Sequence, residues 1–101
     1  RPRYFNSIAD GIDAADGEPW VLFLMTDPST AADRLMLYPE ADDLVVVEIY
    51  ADDDFYGSPY RAALKDHIWP SVALYKNKDE VKVLDVTDLQ SSLKKALEEF
   101  K

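Results

Sequence analysis

The chain has no cysteine, a single histidine, three glycines and far fewer bases than acids. Without cysteine there is no thiolate nucleophile, no disulfide and no thiolate ligand for a metal. The same fact leaves the compartment open, because a protein without thiols is at home in oxidising and reducing surroundings alike. His67 is the only imidazole, which excludes most zinc arrangements and would make a serine–histidine triad depend on that one residue. Nothing in the sequence assigns it a catalytic role. No run of about 18 apolar residues occurs, so no membrane-spanning helix is expected. Eleven Lys and Arg against twenty Asp and Glu give a net charge of −9 and a pI near 4.4. That balance argues against nucleic acid, whose binding is driven by neutralising phosphates, and favours solubility or basic and cationic partners.

What is present suffices for one core. Of the 101 residues, 48% are apolar and 12% aromatic, enough for a single domain, 1–101, that needs no disulfide or metal. The opening Arg-Pro-Arg, in place of Met, suggests a processed form or an excised domain from which any targeting segment is already gone. Ile8, Ala9, Ile12 and Ala15 stand at helical spacing, with Asn6 or Ser7 as cap. Asp16-Gly17-Glu18-Pro19 breaks that helix. Trp20–Met25, six consecutive apolar residues between breakers, predicts a central strand covered on both faces. Thr26 or Asp27 can then cap a helix with Pro28 at its first position, carrying Ala31, Ala32, Leu35 and Met36 and ending at Pro39.

The run 44–50, rich in β-branched residues, predicts a second interior strand, joined to the first as a right-handed parallel βαβ unit. Phe55-Tyr56-Gly57-Ser58-Pro59 is expected to be a loop, and a further helix starts from Ser58 with Tyr60, Ala63 and Leu64. In Ile68-Trp69-Pro70-Ser71-Val72-Ala73-Leu74-Tyr75, the proline must open the strand, lie on an edge or follow a cis bond in a tight turn, because it lacks the N–H a ladder needs. Asn77-Lys78-Asp79-Glu80 is the turn to a strand Val81–Leu84. Thr87 and Gln90 form a capping box for a last helix, whose stripe is Leu89, Leu93, Ala96, Leu97 and Phe100.

Helix, strand, helix, strand, helix, Pro-led hairpin and helix follow in an order that resembles the thioredoxin fold. Trp20–Met25 is similar to the family's central strand, 68–77 to its cis-proline segment, and Leu89–Lys101 to its final helix. The resemblance implies an α/β fold: a three-layer α/β/α sandwich with a mixed central sheet and a cis-Pro hairpin. The sequence departs from the family where the chemistry would be. Thr30-Ala31-Ala32-Asp33 falls on the Cys-x-x-Cys positions, Leu24 near the buried acid, and Lys78 where the hairpin glycine is expected. The stretch between the two central strands is also shorter. Dithiol exchange needs an attacking thiolate and a resolving partner, so a redox-inactive member is expected, neither a thiol–disulfide oxidoreductase nor a glutathione-dependent enzyme.

What the resemblance leaves is a binding surface, since the family pairs an extended client segment with the backbone beside the cis proline. The expected function is a non-catalytic protein-interaction domain, chaperone-like or an assembly module, taking a protein or peptide between a turn containing Thr26, Asp27, Ser29 and Thr30 and the Trp69-Pro70 segment. Trp69 would be the aromatic anchor, or would instead fill core space near the first turn. No cofactor and no metal site are expected. Asp52-Asp53-Asp54-Phe55-Tyr56-Gly57 begins like an EF-hand loop, but Ala63 occupies the twelfth position, where a bidentate Glu is required. Diffuse cation association there and at Asp42-Asp43 supports the alternative of an acidic calcium- or cation-associating, or basic-partner-binding, domain of the same fold.

Overall fold

The computed structural model describes residues 1–25, 31–64 and 70–101. They form a five-stranded mixed sheet of β1 (Arg3–Phe5), β2 (Trp20–Met25), β3 (Val45–Tyr50), β4 (Ser71–Tyr75) and β5 (Val81–Leu84). The order across the sheet is β1-β3-β2-β4-β5. β3 is parallel to β1 and β2, in register Arg3 with Val45 and Trp20 with Val45, whereas β4 is antiparallel to both β2 and β5.

The unbroken apolar run of β2 is explained by its central place. Val21, Phe23 and Met25 enter one core with Val46, Val72 and Leu74, and Trp20, Leu22 and Leu24 enter a second with Val45, Val47 and Tyr75. The first core is closed by Leu35, Ala41 and the helix α3 (Leu89–Glu99) through Leu89, Leu93 and Ala96. The second is closed by α1 (Ile8–Ala15) and by Phe55 and Leu64. Helical segments therefore cover both faces of the sheet.

Ser7 caps α1, accepting from the Asp10 N–H, and the helix stops where Asp16 and Gly17 both take positive φ. Gly11, on the buried side of α1, sits so close to β3 that a β-carbon there would run into Cγ2 of Val47. The polar turn at 77–80 is held by Asn77, whose Oδ1 accepts from the N–H groups of Asp79 and Glu80. Of the single helix expected between β2 and β3, residues 28–30 lie outside the described residues, and the described part is 3₁₀ at Ala31–Leu37, then Pro39–Ala41. A short connection favours this geometry: seven residues cover roughly 14 Å at 2 Å per residue but only about 10 Å as α-helix.

The strand β1 has no counterpart among the sequence expectations. Its three residues, Arg-Tyr-Phe, show no period of their own and become a strand by pairing with β3. Phe55, expected in a loop, is buried in α2 (Asp53–Tyr56), whose start is held by Asp52 Oδ1 accepting the Phe55 N–H. Ser58 then caps a 3₁₀ turn, Pro59–Ala63, in place of an α-helix. The expected capping box does not form. Asp85 accepts from the Thr87 N–H to open a 3₁₀ turn at 86–88, α3 starts at Leu89, and Gln90 reaches Glu40 instead. An acid two residues upstream of Thr87 offers a stronger acceptor than a hydroxyl.

Candidate functional site

Because β2 and β4 run in opposite directions, the exit of one meets the entry of the other, and Leu24 pairs with Ser71. β3 ends beside them, with Met25 opposite Tyr50 and the Ala51 N–H donating to the Met25 carbonyl at 2.8 Å. β5 ends there as well, Leu84 opposite Val72. One end of the sheet thus gathers the carboxyl ends of β2, β3 and β5 and the start of β4, the kind of end at which open α/β sheets place their ligands.

Pro70 stands at this end, half-buried and immediately before β4, so it occupies no ladder position. It forms one wall of a groove of about 490 Å³ that continues over Val72, Val83, Leu84 and Val86 to Asp85 and Thr87. Val72 and Leu84 are buried while Val83 is exposed, which makes an apolar floor with an open rim. The far rim is stiffened by hydrogen bonds: Asp85 Oδ1 accepts from the Thr87 N–H at 2.9 Å and its hydroxyl at 2.7 Å, Ser92 accepts the Asp85 N–H, and Arg34 donates to the Val86 carbonyl. The Thr87 hydrogen bonds hold the Asp85 carboxyl below its ordinary pKa. β5 has a neighbour on one side only, so among the described residues its outer edge carries no strand. Such an edge offers main-chain donors and acceptors to an extended segment.

A second cavity at the same end, about 220 Å³, lies between the start of α1 at Asn6 and Ser7 and the end of β3 at Ile49, with Asp52, Asp54 and Ser58 around it. Behind the site, Glu48 is half-buried on β3, and burial first, then the charge of Asp33, raises its pKa. Tyr4 is raised by burial, by Asp33 and by Glu48, with Arg1 opposing. At the other end of β2, Trp20 stacks on Tyr75, and the Tyr75 hydroxyl donates to the Tyr60 carbonyl at 2.6 Å. Tyr75 is fully buried, and burial pushes its hydroxyl pKa up.

Of the residues expected to form the site, Pro70 is placed as described; Thr26, Asp27, Ser29, Thr30 and Trp69 lie outside the described residues, as does His67. The groove residues of β5 and the 86–87 turn carry no functional signal in the sequence. Val81-Lys82-Val83-Leu84 reads as an ordinary alternating strand, and only its pairing with β4 brings Val83 and Leu84 beside Pro70. Among the described residues, no group of three or more His, Cys, Asp or Glu could hold a metal ion, and no helix is long and apolar enough to cross a membrane. No family model matches the chain, and no curated protein matches it in sequence.

Proposed function

We propose that this chain is a redox-inactive, thioredoxin-like three-layer domain that holds an extended segment of a protein partner in the groove at Pro70, as a chaperone-like or assembly factor and not as an enzyme. The observation that carries this reading is the juxtaposition of Pro70 with an apolar groove at the end of the sheet where β2 stops and β4 starts. A parallel β1-β3-β2 set continued by an antiparallel β4-β5 hairpin, with helical segments on both faces, supports the fold assignment. The absence of cysteine removes dithiol exchange while leaving groove and strand edge intact, and those suffice for strand addition.

The test uses partners purified from the native source and titrated against the parent protein and Trp69→Ala. An aromatic anchor at an interface centre contributes on the order of 2 kcal/mol, so the substitution should weaken the partner roughly thirtyfold while the far-UV spectrum is retained. Unchanged affinity with Trp69 removed would sink the groove reading. The second reading, an acidic surface that associates with cations or basic partners, is favoured by the Asp52 and Asp54 lining of the smaller cavity. It expects affinity indifferent to Trp69 and collapsing with salt.

A further inference from the structure

The phase of the β4–β5 ladder decides which main-chain groups of the edge strand β5 look outward. The Lys76 N–H donates to the Glu80 carbonyl at 2.9 Å, and Lys82 and Leu84 follow opposite Leu74 and Val72. Opposed residues of an antiparallel pair alternate between bonded and non-bonded, so Glu80, Lys82 and Leu84 turn their N–H and C=O groups to β4, while Val81 and Val83 turn theirs to the outer edge. Asp85, next in the outward set, has its N–H taken by Ser92 Oγ at 3.0 Å. Proteins guard such an edge with proline or with a lysine placed across it. β5 has no proline, and its one charged residue, Lys82, is drawn toward the end of α3 by Glu99 at 3.0 Å and by the ring of Phe100. Val83 is 41% exposed.

Independently of the Pro70 groove, we propose that this edge pairs with β5 of a second copy, antiparallel about a two-fold axis through Val81. Registers centred on Val81, Lys82 or Val83 set outward groups against outward groups, and charge and hydrogen bonding select among them. Centred on Lys82, the ladder opposes two ammonium groups directly. Centred on Val83, it sets Val81 against Asp85 of the second copy, whose N–H already has Ser92. Centred on Val81, the two Val81 residues exchange both main-chain bonds, and Glu80 of each copy lies opposite Lys82 of the other. That is a non-bonded position, where α-carbons stand about 4.5 Å apart and opposite charges favour pairing. Two residues apart on a strand, Glu80 and Lys82 share the α3 side of the sheet. Asn77 donates to Oε1 of Glu80 at 2.8 Å, and a carboxylate has a second oxygen for the lysine. Residues 76–101, which make the turn, β5 and α3, hold six acids and six bases, so the net charge of −9 belongs to residues 1–75 and the facing elements are neutral in sum. A two-fold contact is self-complementary and closes at the dimer.

Sedimentation velocity of the whole chain, from about 10 µM to about 1 mM, tests the pairing, and a concentration-dependent dimer is expected. Glu80→Lys and Lys82→Glu each turn both opposed pairs into like charges, and each should weaken association about tenfold to thirtyfold. Far-UV circular dichroism checks that both variants stay folded. Mixing the two variants in equal amounts should restore the dimer, because every opposed pair across the mixed interface is again of opposite sign. A monomer throughout that range overturns the proposal, as does a dimer that both reversals leave intact or one that mixing fails to restore. If Glu80→Lys tightens association while Lys82→Glu loosens it, net charge governs the contact in place of the register, and the proposal is likewise overturned.

Discussion

Glu48 is the residue at which position overrides chemistry. On strand β3, half-buried beside Asp33, its carboxylate loses water and gains a like charge, and both raise its pKa. An acid whose pKa is higher folded than unfolded binds its proton more tightly in the folded state. Stability therefore falls as pH rises from the ordinary glutamate range through the raised value, and the cost persists above it. Glu48→Gln should accordingly be more stable than the parent at pH 7 in urea titrations, with the difference vanishing at about pH 3, below the ordinary glutamate range. Equal stability at both pH values would contradict the assigned cause. None of this is visible in Leu-Val-Val-Val-Glu-Ile-Tyr, which reads only as an interior strand with one polar interruption. Tyr75 is a similar case: its burial needs the Tyr60 carbonyl as acceptor and Trp20 as stacking partner, and both arrive from other elements.

At the scale of elements, long periodic segments are legible in the sequence and short ones are not. β2 announces itself through six apolar residues, and α3 through its stripe, of which Leu89, Leu93 and Ala96 are buried. β1 and α2, of three and four residues, are too short to show a period and exist through their neighbours. The α1–β3 contact shows how closely two elements can be fitted. A methyl at residue 11 would gain roughly 1 kcal/mol of helix propensity but must displace Val47. Overpacking of a dense core costs about 1–3 kcal/mol, so Gly11→Ala should lower the urea midpoint despite improving the helix. A raised midpoint would mean that α1 can move away from the sheet freely.

For the molecule as a whole, both cores share one sheet, with alternate residues of β2 serving each. Neither can melt alone without exposing the other side of β2, so unfolding should be a single cooperative transition. In Trp69→Phe, Trp20 becomes the sole tryptophan, and its fluorescence and the far-UV circular dichroism should trace coincident urea curves; separated midpoints would show that the two layers unfold independently. Composition and periodicity alone were enough to specify the central strand, the Pro-led hairpin, the final helix and the impossibility of thiol chemistry, because each rests on residue type or on spacing within a single segment. Tertiary structure alone decided the edge strand β1, the acids that share the Pro70 end and the groove wall supplied by β5. These depend on which distant segments are brought together, and a one-dimensional pattern does not encode that proximity locally.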